Sequence, residues 1–276
     1  MSEIDAALRG LHLLTPDPLH AATFYAKVYG LQMRQDGSGA YECAGNAGKI
    51  LLSAGQAHAL SAAIFHFNSF EAWESFLERV GPSAACCRAS APDLAQLEVR
   101  DPEGNLSIFN PPQAPTGAAN ASALESIRLQ HFAVRTSRIE EMAAHYADKL
   151  GFVVSDYVRG DDGSLRACFL RTEKLHHSLA LFHAPQRRFD HLSFETAGWD
   201  AMRQWGDHMA QLRIPVVWGI GRHGPGNDTF FMVNDPDGNL VEISAELEEC
   251  ASDRPAGTWA HEERTLNLWG QAIMRS

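Results

Sequence analysis

IRLQHFAVRTSRIEEMAAHYADKLGFVVSDYVRGDDGSLRACFLRTEKLHHSLALFHA, residues 127–184, holds one strand, one helix and three more strands, in that order. IRLQHFAV reads as a strand in which alternation sets His131 and Ala133 on one face against Phe132 and Val134 on the other. In RIEEMAAHYADKLG, Ile139, Met142, Ala143, Tyr146 and Leu150 recur at helical spacing, and Gly151 supplies a stop. FVVSDYV, LRACFLRT and HHSLALFHA then read as strands separated by RGDDGS and TEK. The unit is one βαβββ module.

The same order follows at once. RFDHLSFET predicts a strand, GWDAMRQWGDHMAQL a helix, and PVVWGIGRH, TFFMVN and NLVEISAE three strands, the last two joined by a DPDG turn. A looser copy fills the first half, from RGLHLLT through KILLSA, AAIFHFN and FEAWESFLERVG to NLSIF. Aligning the halves pairs His12 with His131, His66 with His191, and DPEGNLSIF (101–109) with DPDGNLVEI (235–243). Between them NPPQAPTGAANASALES, residues 110–126, has three prolines and no hydrophobic period, as a linker would. The expectation is an α+β chain of four modules in two domains, 1–112 and 127–276, joined by 113–126, the second domain ending in a tail.

At 276 residues, 45% hydrophobic and 21% charged, the chain has room for two cores. A formal net charge of −11 opposes nucleic acid or an anionic membrane as partner. MSEIDAALRG lacks the pattern of a secretory signal and no apolar run is long enough to span a bilayer, so a cytoplasmic location is expected. Cys43, Cys86, Cys87, Cys168 and Cys250 contain no CxxC pair, which argues for reduced, buried thiols rather than a disulfide framework or zinc knuckle. GRHGPG lacks the strand-to-helix setting of a phosphate loop.

A histidine on an apolar strand is ordinarily a satisfied core residue. His131 and His191, however, take the same place on the first strands of successive modules, so a pseudo-twofold arrangement brings them together. Glu242 stands between Val241 and Ile243, where an ionised carboxylate needs a cation, and its strand has no basic residue. The matching place in the first half is Ile108, so that half is expected to keep the fold without the site. His20, His58, His145, His183, His208 and His261 read as solvated or structural, and Trp199, Trp205 and Trp218 as core or pocket wall.

The module order, with QHFAV, HHSLALF, FDHLSFE, GRHGPGND, DPDGNLVEIS and the terminal TLNLWG, resembles the two-domain type I extradiol ring-cleaving dioxygenases of the vicinal oxygen chelate superfamily. The resemblance implies domains built as incomplete β-barrels around a pocket, assembly as a homo-oligomer, and Fe(II) held in the second domain by His131, His191 and Glu242, with Mn(II) as the other ion this donor set accepts. It implies a catechol-type substrate opened beside its two hydroxyls with both atoms of O2 incorporated. His177 matches the family's acid–base residue beside the O2 site, and His223 matches a loop histidine that hydrogen-bonds the substrate. FFMVNDP departs from the pattern: Met232 stands where the family usually has tyrosine, and a thioether cannot donate to a substrate oxygen. That departure keeps a second reading open, a lyase or isomerase using a redox-inert divalent ion; a ligand-sequestering module is the third.

Overall fold

β1 (Ala6–Thr15) runs into Asp17, whose side chain accepts the His20 N–H at 3.0 Å and caps α1 (Pro18–Tyr29). Pro18 suits the first helical turn, and Gly30, at φ 68°, ends it in the left-handed conformation that glycine adopts without penalty. Then come β2 (Gln32–Gln35), β3 (Tyr41–Gly45), β4 (Gly48–Ala54), β5 (Ala59–Phe67), α2 (Phe70–Val80), β6 (Leu97–Arg100) and β7 (Leu106–Asn110). The structure, a computed structural model, describes residues 3–45, 48–80, 96–113 and 127–274. The expected linker, apart from Gln113, lies outside the described residues, as do Cys86 and Cys87.

The second half repeats the order. It has β8 (Arg128–Thr136), α3 (Ile139–Ala144), β9 (Val153–Arg159), β10 (Leu165–Arg171), β11 (Leu179–His183), β12 (Arg188–Glu195), α4 (Trp199–Gln211), β13 (Trp218–Arg222), β14 (Thr229–Asn234) and β15 (Leu240–Ala245). The helix expected over 138–151 instead widens after Ala144 into a π-helical turn, His145–Lys149, which carries Tyr146. What reads as a tail adds β16 (Gly257–Ala260) and α5 (Glu263–Leu266).

Seven strands form one sheet in the order β2-β3-β4-β1-β5-β7-β6, and nine form the other, β13-β14-β15-β12-β8-β11-β10-β9-β16. Neither closes into a barrel. In each sheet the two modules meet at an antiparallel pair, β1 with β5 and β8 with β12.

Strand register corrects the alignment of the halves. His12 lies opposite Ala62, as Ala133 lies opposite His191; Gly10 lies opposite Ile64, as His131 lies opposite Ser193. The first-half counterparts of His131 and His191 are therefore Gly10 and Ala62, two and four residues from the histidines that sequence similarity pairs with them. Ile108 does match Glu242, since Ile64 pairs with Ile108 as Ser193 pairs with Glu242. Matching letters misled because a strand offers no marker of phase except its pairing.

Both sheets feed one core. Phe65 and Phe109 of the first half pack on Phe152 of the second, and Tyr29 on Phe194 at 5.0 Å. Polar ties cross the same boundary: Tyr25 Oη donates to Asp235 Oδ2 at 3.0 Å, and Tyr146 Oη to Asp101 Oδ2 at 3.1 Å. Each aspartate also closes its own turn, Asp101 by accepting from Glu103 N and Asn105 N, Asp235 from Asp237 N and Asn239 N. The recurring DP-x-GN motif is thus turn and joint at once. Cys43, Cys168 and Cys250 are buried free thiols, burial pushing Cys168 up to about 12. Among the described residues no helix is long and apolar enough to cross a membrane.

Candidate metal centre

Five strands of the nine-stranded sheet each place one residue in a single row. His131 on β8, Ser193 on β12, Glu242 on β15, Met232 on β14 and Trp218 on β13 are successive register partners. Register partners point to one face, and His191, two residues from Ser193, shares it. Ser193 is short enough for His131 and Glu242 to converge above it. On the opposite face Val241 and Ile243 enter the core, which fixes the phase of β15.

His131 Nε2 lies 3.2 Å from His191 Nε2 and 4.0 Å from Glu242 Oε2, and His191 Nε2 lies 3.8 Å from that oxygen. Their exposures are 2, 3 and 0%. Ligand atoms about 2.0–2.2 Å from one ion and at right angles are roughly 3 Å apart. The His131–His191 separation already matches that, and Glu242 Oε2 would close by a little under about 1 Å on each ring to take the third place.

The far nitrogens of both rings are fixed. His191 Nδ1 lies 2.7 Å from Asp190 Oδ1, and His131 Nδ1 3.0 Å from Gln130 Oε1. An oxygen acceptor there holds the proton on Nδ1 and leaves the Nε2 lone pair facing inward, the form that ligates a metal. Arg135 Nε donates to the other Asp190 oxygen at 2.5 Å, and Ser244 Oγ donates to Gln130 at 2.9 Å, so both acceptors are braced.

His177 joins this group, its ring centroid 4.2 Å from that of His131. It does not lie in a strand, as HHSLALF predicts. The strand begins at Leu179, because the His176 N–H is taken by the Glu248 carbonyl at 2.9 Å rather than by a neighbouring strand. Burial, reinforced by His131 and the other nearby imidazoles, holds His177 well below the ordinary histidine range.

His223 follows β13 and stacks on Phe230, ring centroids 3.8 Å apart. Its Nδ1 lies 2.6 Å from the Leu266 carbonyl, and its Nε2 lies 3.9 Å from Glu242 Oε2. The carbonyl can only accept, so Nδ1 carries the proton and neutral His223 presents a lone pair to the centre. Asp228, which sequence reasoning missed, forms a second convergent group with His223 and Glu242. Burial pushes it up to about 8, His223 opposing the rise and Glu242 adding to it. Its one sequence signal is an acid in the same loop as His223.

The cavity is lined by these histidines and Glu242, and by Phe169, Ala180, Phe182, Pro225, Thr265 and Leu266. It is narrow, about 20 Å³ in volume, the room of one water. A larger opening of about 270 Å³ lies near Arg135 and Arg188 and holds none of the candidate ligands. Met232 is fully buried in the apolar cluster of Trp218, Phe230 and Leu266.

Thr265 and Leu266 belong to the C-terminal segment, which sequence reasoning treats as a tail. It is bound in place by β16 pairing with β9, Gly224 N to Thr265 O at 2.9 Å, and Leu268 N to Arg222 O at 2.7 Å. A Cβ on Gly224 would lie 2.8 Å from Thr265 O, so the glycine lets the loop lie flush against the segment. Among the remaining residues, His58 and His208 make structural contacts with Asn239 Oδ1 and Val28 O, and Trp205 is core; Trp199, 47% exposed, is not core.

Residues 128–243 match the family model of the Glyoxalase/Bleomycin resistance protein/Dioxygenase superfamily. The similar curated proteins are extradiol dioxygenases. Metapyrocatechase 2 of Cupriavidus necator is 31% identical over 195 residues, 63% of this chain and 60% of that protein. Metapyrocatechase of Pseudomonas sp. (strain CF600) is 26% identical over 56% of this chain and 50% of its own length. The matches thus span half to three-fifths of these curated relatives. Among solved structures, homoprotocatechuate 2,3-dioxygenase from Arthrobacter globiformis has a TM-score of 0.78 at 24% identity, covering 99% of this chain and 91% of that one. The Mn(II)-bound glyoxalase from Novosphingobium aromaticivorans has 0.77 at 22%, covering 98% and 91%. At such identity the structural likeness establishes the fold.

Proposed function

We propose that the chain is an Fe(II)-dependent extradiol dioxygenase acting on a catechol-type aromatic. The observation that carries this reading is the buried convergence of His131 Nε2, His191 Nε2 and Glu242 Oε2, with both rings oriented by acceptors at Nδ1. Two imidazoles and one carboxylate would hold a ferrous ion with positions left open. The ion, when bound, supplies the Lewis-acid and redox chemistry that brings a vicinal diol and O2 together. Mn(II) would suit the same donors.

The chain's own side chains supply the rest. His223 Nε2, a lone pair in the neutral form, accepts a hydrogen bond or proton from a substrate hydroxyl. His177, buried against His131, exchanges a proton beside the centre. Phe169, Phe182, Leu266 and Pro225 exclude water and offer an apolar face to a ring. Incubating iron-loaded protein with a panel of catechols under air should give O2 uptake and a yellow ring-opened product; loaded protein inert toward the whole panel overturns the reading.

One observation favours a second reading. Met232, in register beside Glu242, puts a thioether where a hydroxyl donor would assist oxygen chemistry. A lyase or isomerase with a redox-inert divalent ion would not need that donor. Turnover that persists without O2 selects it.

A further inference from the structure

Behind His177, away from the candidate ligands, lies a chain of polar contacts that the proposed chemistry has not used. His177 Nδ1 is 3.0 Å from His176 Nδ1, and His176 Nε2 is 3.1 Å from Asp156 Oδ2. His176 is 0% exposed and Asp156 1%. Asp156 is itself held by Trp259 Nε1 at 2.8 Å, Arg254 Nη2 at 3.1 Å and the Gly257 N–H at 3.1 Å, all from the C-terminal segment. Gly226 seals the other side: a Cβ there would come within 3.1 Å of His176 Nδ1.

These contacts fix protons. His176 Nε2 and Asp156 Oδ2 are in charge contact rather than on a hydrogen-bond line, but a carboxylate oxygen 3.1 Å away repels a lone pair, so His176 carries its proton on Nε2 and turns a lone pair at Nδ1 toward His177. His177 must then donate from Nδ1, which leaves its own Nε2 unprotonated. We infer that Asp156 and His176 are positioning residues that hold His177 as a proton acceptor at Nε2 and take over the positive charge once it has accepted.

The proton count closes. A substrate hydroxyl gives its proton to His177 Nε2, and the proton on His177 Nδ1 passes to His176 Nδ1. His177 ends neutral with N–H at Nε2, ready to return a proton, and the imidazolium is His176, beside the Asp156 carboxylate. The arrangement keeps the new cation one residue further from a divalent metal, where like-charge repulsion is weaker. The reverse transfers restore the starting state.

This inference rests on the proposed dioxygenase reading for its kinetic consequence but not for its tautomers. Long-range 1H–15N correlation spectra of the full-length, metal-free chain with 15N-labelled histidine should show His177 protonated at Nδ1 only, its signals assigned by their loss in His177→Phe. His176→Gln keeps an oxygen to accept from His177 but cannot carry a proton onward; His176→Phe removes both functions. With iron content equal to wild type, the Gln variant should keep the wild-type His177 tautomer and lose at least about tenfold in kcat with little change in KM. The Phe variant should lose the tautomer as well. Wild-type His177 protonated at Nε2, or a His176→Gln enzyme turning over at the wild-type kcat, overturns the inference. If the wild type is inert toward catechols while the tautomer is as stated, it is the dioxygenase reading that fails.

Discussion

The Tyr25 hydroxyl donates to Asp235 Oδ2 at 3.0 Å, tying a helix of the first half to the turn that leads into the strand of Glu242. Both partners are buried, and the bond ends on a carboxylate that also closes its own turn.

Tyr25→Phe should therefore destabilise the fold by about 1–3 kcal/mol, the range for removing a buried hydrogen bond to a charged group. Tyr146→Phe, which breaks the equivalent bond to Asp101, should cost a similar amount. The two sites are separate, and the double variant should be close to additive. Urea unfolding midpoints at constant m-value check this.

Glu242→Gln preserves volume but removes the charge from the His131–His191–Glu242 group. Iron retained after desalting should fall to background, and O2-dependent turnover with it, while the unfolding midpoint of the metal-free chain stays equal or rises. The rise is expected because burying a charge carries a desolvation cost that the neutral amide avoids.

Met232→Leu conserves volume, and neither side chain donates a hydrogen bond. Catechol turnover should stay within about threefold of wild type. A larger loss in kcat at unchanged KM would give the thioether itself a role.

Among the described residues, no lysine or arginine lines the cavity over the candidate ligands. Catechols with uncharged ring substituents should be turned over in preference to carboxylate-bearing ones by at least about tenfold in kcat/KM, since an anion would be buried there without a cation. Steady-state comparison of 3-methylcatechol with 3,4-dihydroxybenzoate measures it.

His66 titrates low, to about 4, chiefly through burial, with Arg9 and Lys49 adding to the shift. A folded-state pKa below the unfolded value means that protonation favours unfolding. Stability from this residue is complete above about 6.5 and is lost as pH falls from there to about 4. His66→Gln should flatten the stability curve of the metal-free chain across that window, measured by urea unfolding at half-unit intervals.

Much of this was legible in the sequence, for reasons particular residues make clear. Ile139, Met142 and Tyr146 announced their helix because one face must be apolar, and Glu242 between Val241 and Ile243 announced a site because a buried charge must be answered. His12 and His66 misled, since only pairing fixes strand phase, and pairing sets Gly10 and Ala62 at the positions of interest. Asp156, Asp228 and Leu266 stayed hidden because they reach the centre through tertiary contacts that leave no local period. His176 was legible only as a neighbour of His177. Its importance comes from Asp156, twenty positions earlier, and from Trp259, far downstream.

Thr265 and Leu266, which wall the cavity, come later in the chain than all three candidate ligands. A protein is made from its N-terminus, and its parts begin to fold in that order. The His-His-Glu face can accordingly pair before the C-terminal segment docks over it, so an ion can enter from open solvent before the wall is laid over it.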